Sequence, residues 1–159
     1  MATWKRSDCE MRGVKIHKGL SHETIAFTGS LYLGGKRVAH VENEGQGGPN
    51  NCTFKDAKIG DAFFAWAKTL PGTNTKVEGL SVTMDGDLLI SLMVGEIEEE
   101  RDLKAQCRTK VLFTVKDSKE GEYFSYRFKY TPESADYVKG QNPTLVEIIN
   151  ERFVKGDSK

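Results

Sequence analysis

The 159-residue chain is predicted to be an α+β protein, with antiparallel sheet from an N-terminal and a C-terminal hairpin covered by about three to four helices. Three observations carry this. Residues 24–33 alternate apolar and polar side chains and run straight into Gly34-Gly35, a two-residue hairpin signal. Residues 110–130 repeat the alternation around a polar turn. Between the two pairs, residues 56–70 and 85–107 place apolar residues three and four apart, the period of a helix.

Taken in order, residues 1–10 are polar with one Trp and read as a loose or partly docked arm. Residues 11–18 alternate around Val14 and Ile16 and read as a short strand. In 24–33, Ile25, Phe27, Leu31 and Leu33 share one face, and Thr24, Thr28, Ser30 and Tyr32 the other. A type I′ turn at Gly34-Gly35 pairs Tyr32 with Arg37 and Leu31 with Val38. It also sets His40 opposite Gly29 on the apolar face, as a packed and hydrogen-bonded histidine. Residues 43–51 form a glycine-rich loop. The helix over 56–70 buries Ala62, Phe63, Trp66, Ala67 and Leu70, with Asp61 after Gly60 as its cap. Residues 73–80 read as a linker.

The helix over 85–107 buries Leu88, Leu89, Leu92, Met93, Ile97, Leu103 and Cys107. Asp85 and Asp87 sit at its positive end, and Lys104 and Arg108 at its negative end. Glu96–Glu100 is a solvated face. The second hairpin spans 110–116 and 122–130, with Val111, Phe113, Val115, Phe124, Tyr126, Phe128 and Tyr130 inward. Thr131-Pro132 opens one helix, and Asn142-Pro143 is predicted to open another carrying Leu145, Val146, Ile148 and Ile149. Residues 11–153 are thus read as a single domain, and 154–159 as a frayed tail.

Composition narrows the function. Hydrophobic residues make up 38% and charged residues 29%, ordinary for a globular protein. No apolar run reaches the roughly 20 residues that span a bilayer, and the N-terminus shows no apolar leader. A cytoplasmic location is therefore expected, with no membrane partner. Cys9, Cys52 and Cys107 lack the paired spacing of a zinc site or disulfide framework and read as reduced thiols. The net charge of zero argues against non-specific nucleic-acid binding, yet the balance is uneven. Residues 1–55 carry 8 basic against 5 acidic side chains, 56–100 carry 3 against 9, and 101–159 carry 12 against 9.

The stretch that draws most attention is Leu31 to Asn51. Gly45, Gly47 and Gly48 are able to turn successive backbone N–H groups into one concavity, the geometry of an anion-holding nest. Asn43, Asn50 and Asn51 add neutral donors, and Lys36 and Arg37 on the preceding strand supply charge. The loop lacks the Lys-Ser/Thr ending of a P-loop and the spacing of a dinucleotide fingerprint. Tight turns alone also account for its glycines. A second candidate is the outer face of the later hairpin, where Lys110, Lys116, Arg127 and Lys129 surround Tyr123 as a nucleic-acid grip.

Catalytic signals are thin. His17, His22 and His40 lie near carboxylates, but no nucleophile or metal-ligand spacing accompanies them. Cys52 is the best candidate for a reactive thiol. No cofactor is expected, and the enzyme question leans to no.

The run GGKRVAHVENEGQGGPNN resembles a motif of small, largely uncharacterised phage and bacterial proteins: Gly-Lys-basic-Val-Ala, a short strand, then Asn-x-Gly-x-Gly-Gly. LKAQCRTKVLFTVKD, followed by an aromatic strand and a Tyr-Thr-Pro helix start, resembles the second half of that family, so the likeness covers most of residues 11–152. The chain departs from the pattern at Ala105-Gln106-Cys107, where the family is more basic, and in its acidic 96–100 run. The resemblance implies an origin in a phage, prophage or plasmid more than it implies a mechanism. The expectation is a non-enzymatic accessory protein of a bacterial host's cytoplasm. It would bind a host protein or a nucleotide-like ligand to counteract a host defence, with a nucleic-acid-binding module as the alternative. Open strand edges also leave room for a homo-oligomer.

Overall fold

In the computed structural model, residues 3–74 and 79–156 are described. Helices and antiparallel strands are both present, and the fold is α+β. Where the sequence offers no boundary inside 11–153, the chain divides into two compact units, Met1–Glu98 and Glu99–Lys159. Each hairpin founds its own sheet.

The first unit is built on four antiparallel strands in the order β1 (Cys9–Ile16), β2 (Phe27–Leu33), β3 (Lys36–Asn43) and β4 (Asn51–Phe54). Strand β2 alternates strictly, with Phe27, Gly29, Leu31 and Leu33 inward. Gly34 and Gly35 carry φ of +58° and +80°, as the tight turn requires. Tyr32 faces Arg37 as predicted, but Leu31 faces Ala39 rather than Val38. A bulge turns both Val38 and Ala39 inward, because two adjacent apolar residues bury together only if the alternation breaks. One extra residue sends everything beyond it to the other face. His40 therefore lies opposite Ser30 with its side chain 44% exposed, not packed against Gly29. Gly29 instead makes room for β1: a Cβ there would lie 3.1 Å from both Met11 and Val14 side-chain atoms.

Of the residues 1–10 read as a loose or partly docked arm, the described ones from Trp4 to Cys9 are docked. Strand β1 starts at Cys9, which is buried, and Arg6–Asp8 form one 3-10 turn. Trp4 meets Trp66 edge-on at 5.7 Å, and Trp66 Nε1 donates to the Trp4 carbonyl at 2.8 Å. Helix α1 (Ala57–Ala67) is capped by Asp56, whose carboxylate accepts from the Lys58 N–H at 2.9 Å, so Asp61 is not the cap. In the stretch read as a linker, β5 (Thr73–Asn74) pairs with β6 (Ser81–Val82), and residues 75–78 lie outside the described ones.

Helix α2 (Gly86–Gln106) falls where its periodicity placed it. Its buried line in this unit is Leu89, Ile90, Met93 and Val94, with Leu88, Leu92 and Ile97 at the margin, a stripe turned slightly from the expected one. With Phe27, Leu31, Val41 and Phe63 these residues make the first core. Full burial of each such side chain contributes about 2 kcal/mol.

The second unit has three antiparallel strands in the order β8-β7-β9: β7 (Val111–Val115), β8 (Phe124–Tyr126) and β9 (Leu145–Ile148). Helix α3 (Pro132–Gln141) begins as predicted, with Ser134 N–H donating to Thr131 Oγ1 at 3.0 Å. The predicted helix after Asn142-Pro143 is wrong at its start. Leu145–Ile148 forms β9 on β7, and only then does α4 (Asn150–Gly156) begin. Leu145-Val146-Glu147-Ile148 turns Ile148 into the core and Val146 to solvent, and four such residues satisfy a strand with one partner but are too few to give a helix a buried stripe. Strand β7 is covered on both faces: Val111 and Phe113 pack with Ala135, Val138 and Ile148, and Leu112 packs with Leu103 and Ile149.

Candidate functional site

The glycine loop closes on itself. Strand β3 ends at Asn43, whose Oδ1 accepts from Gly45 N–H and from Thr24 Oγ1, both at 2.8 Å. Its Nδ2 donates to the Gly48 carbonyl and to Asn50 Oδ1, both at 3.1 Å. Gly47 N–H donates to Thr24 Oγ1 at 3.3 Å, while the Gly45 carbonyl accepts from His22 and Glu23 N–H at 3.1 Å each. Asn50 N–H donates to Asp87 Oδ1 at 2.7 Å. Its Nδ2 donates to the Asp87 carbonyl at 3.1 Å and to Ser91 Oγ at 2.9 Å. The amides of Gly45, Gly47 and Asn50 are thus committed inside the protein rather than aimed at an anion. The loop is a clasp that ties the 20–24 segment and the first turns of α2 to the end of β3.

The outer side of the clasp is a hollow of about 300 Å³ lined by Glu42, Asn43, Glu44, Gln46, Gly48, Pro49 and Asn51. Two carboxylates and no cation give it the wrong sign for phosphate. Lys36 and Arg37 sit at the opposite end of β3, about 20 Å away at the rise of a strand. Of the predicted ligand-binding set, Asn43, Gly45, Gly47 and Asn50 come together as structure. Gly48 and Asn51 line an acidic hollow, and the two cations are elsewhere.

The second predicted set is split. Lys116, Arg127 and Lys129 are exposed and Lys110 is half-buried. Tyr123 packs beside Leu103, Leu112 and Ile149, and its hydroxyl donates to Glu99 at 3.2 Å, so it is no free stacking platform. Burial first, and the neighbouring Glu99 next, raise its phenol pKa. The sheet face expected to be open and basic is covered by the end of α2 and by α4.

Lys129 is nevertheless brought to a cleft. About 340 Å³ of open space is lined by Lys104, Cys107, Arg108, Lys129, Tyr130, Asn150, Phe153 and Val154. Three cations and two aromatic rings share the hollow, and no carboxylate lines it. Arg108 and Lys129 form no ion pair with a described residue. Nearby acids are occupied: Glu147 takes both arms of Arg152 at 2.6 and 2.7 Å, and Glu151 lies 3.8 Å from Lys139 Nζ. The Arg152 hydrogen bonds hold the Glu147 carboxyl below its ordinary pKa.

The cleft's inner wall is fixed by Asn150, which is 2% exposed. Its Oδ1 accepts from Leu112 N–H at 2.9 Å, and its Nδ2 donates to the carbonyls of Cys107 at 3.2 Å and Lys110 at 2.8 Å. One side chain therefore joins the end of α2, the turn after it, β7 and the start of α4. Sequence reasoning assigned Lys104 and Arg108 to a helix dipole and Tyr130 to the core, and passed over Phe153. The basic excess of residues 101–159 was the available signal.

The remaining candidates for chemistry are quiet. Burial pushes the Cys9 and Cys52 thiols up to about 11, with Asp87 adding to the effect at Cys52. Cys107 is raised by burial and partly relieved by Arg152. Cys52 is accordingly not poised as a nucleophile, since the thiolate is the reactive form. In the native protein at pH 7.5, an alkylating reagent is expected to label Cys107 before Cys9 or Cys52, as peptide mapping of partially labelled protein would read. Equal labelling of Cys52 would contradict that burial. His40 Nε2 lies 3.7 Å from Glu42 Oε2 on an exposed face. No group of three metal-ligating side chains occurs among the described residues, and no described helix is long and apolar enough to cross a membrane. Comparison with protein families, curated proteins and solved structures finds no match to this chain.

Proposed function

We propose that this is a non-enzymatic accessory protein that binds a nucleotide-like, phosphate-bearing ligand in the cleft of its second unit. The observation that carries the reading is the meeting of Lys104, Arg108 and Lys129 with Tyr130 and Phe153 around one hollow that no carboxylate lines. The Arg108 guanidinium offers a planar fork matched to phosphate oxygens, and the lysines add point charges. The half-buried Tyr130 and Phe153, each packed against a core cluster, add an apolar wall against which the rest of the ligand packs. The volume lies at the small end of ligand pockets, enough for one nucleotide-sized group.

The setting proposed is a phage or mobile element acting in the cytoplasm of a bacterial host, where capture of such a ligand counteracts a defence. Its support is the resemblance of the 34–51 and 103–117 stretches to small phage and bacterial proteins. A host protein as partner rests on the same likeness alone. The nucleic-acid reading keeps one specific observation in its favour, the exposed Arg127 and Lys116 on the hairpin that also carries Lys129.

Thermal unfolding across a panel of nucleotides tests the proposal, because a ligand that binds only the native state raises the melting temperature. Stabilisation by nucleoside phosphates is expected. Arg108→Ala and Lys129→Ala are each expected to weaken binding about tenfold, the value of one charge-assisted contact. No shift at millimolar nucleotide would overturn it. Strand binding that falls with salt and with Arg127→Ala, without mononucleotide binding, would favour the nucleic-acid reading.

A further inference from the structure

Resting on that reading, we propose that the group recognised in the cleft is a terminal phosphomonoester, not an internal phosphodiester of a strand. Charge matching points to it. Arg108 and Lys129 face the hollow and form no ion pair with a described residue, and Lys104 lines the same space. An internal diester brings one negative charge and would leave a cation uncompensated beside Cys107, Phe153 and Val154. A phosphomonoester carries about −1.5 to −2 at neutral pH and offers three oxygens, so it balances the pair and occupies the guanidinium fork.

No described residue forms an ion pair with Arg108 or Lys129. Glu147 is held by Arg152 and Glu151 lies by Lys139, while Glu99 accepts from Tyr123, so the neighbouring carboxylates that carry these contacts serve elsewhere in the unit. The geometry is also selective in kind. Tyr130 and Phe153 are half-buried, each packed against a core cluster, and their remaining surface gives the hollow an apolar wall that inorganic phosphate leaves unfilled.

The titratable and charged lining groups are Lys104, Cys107 and Arg108 from the end of α2 and the turn after it, and Lys129 and Tyr130 from the segment before α3. Helix α4 contributes none among its lining residues Asn150, Phe153 and Val154. With no histidine or carboxylate in the lining, a change in affinity near pH 6 reports the ligand's own second ionisation, which lies at about 6.

Titration calorimetry on the full chain at fixed salt tests the proposal. The ligands are one short oligonucleotide carrying a 5′-phosphate, a 3′-phosphate or hydroxyls at both ends, a nucleoside monophosphate, and inorganic phosphate. A phosphorylated end is expected to bind at least tenfold more tightly than the hydroxyl form, and the monophosphate to weaken several-fold from pH 7 to pH 5. Equal binding of the hydroxyl and phosphorylated oligonucleotides would overturn the terminal-phosphate proposal and leave the nucleotide reading standing. Inorganic phosphate binding as tightly as the nucleotide, or no binding by any ligand, would overturn the nucleotide reading itself.

Discussion

Replacing Gly45 with alanine is expected to destabilise the protein by about 3 kcal/mol or more, visible as a clear drop in the denaturant midpoint. Two independent costs act at this position. Its φ of +82° is one that residues with a Cβ adopt only under strain. The added carbon would also press on the Leu20 carbonyl oxygen, closer than real carbons approach, and lie 2.9 Å from the Ala26 Cβ. Neither neighbour is a flexible side-chain end, and the Gly45 carbonyl is pinned by His22 and Glu23 N–H groups. Gly48 is the matched control. It lies outside the left-handed region and a Cβ there would meet nothing within 4 Å, so Gly48→Ala should change stability little. Equal effects of the two substitutions would contradict the clasp.

Asn150→Ala is expected to cost about 4 kcal/mol. It removes the partner of the Leu112 N–H and of the Cys107 and Lys110 carbonyls in one step. The buried Leu112 N–H left without a partner costs roughly 1–3 kcal/mol, and the two part-buried carbonyls add to it. The site is 2% exposed, so water does not readily replace the amide. Urea unfolding of the variant reads the loss directly. A loss below about 1 kcal/mol would mean that this network does not hold the cleft's inner wall.

Much of the fold was legible because it is local. The Gly34-Gly35 turn, the Tyr32–Arg37 pair, the alternation of Phe27–Leu33, the length of α2 and the Thr131-Pro132 start each depend on residues within a few positions of one another. The errors arose where distant partners decide. Regular pairing back from the turn sets Leu31 against Val38 and His40 on the apolar face, yet two buried positions in a row, Val38 and Ala39, forced a bulge and moved His40 to solvent. Leu145–Ile148 is ambiguous alone and becomes a strand only because β7 offers it an edge.

The site was less legible than the fold for the same reason. Glycines at 45 and 47 are equally suited to an anion nest and to a self-satisfied clasp. What decides between them is where Asn43 and Thr24 accept from the Gly45 and Gly47 N–H groups and where Asp87 and Ser91 hold Asn50. Lys104, Arg108, Lys129 and Phe153 lie on three separated segments that no sequence spacing connects. The excess of positive charge after residue 100 announced that such a patch was available, but not where it gathers.

The claim that the cleft, and not the glycine loop, is the binding site is tested most directly by titrating a nucleoside monophosphate into three proteins: the native chain, Arg108→Ala and Gly48→Ala. The expected result is native-like affinity for Gly48→Ala and about tenfold weaker binding for Arg108→Ala. Unchanged binding in Arg108→Ala with loss in Gly48→Ala would return the site to the loop and contradict the assignment.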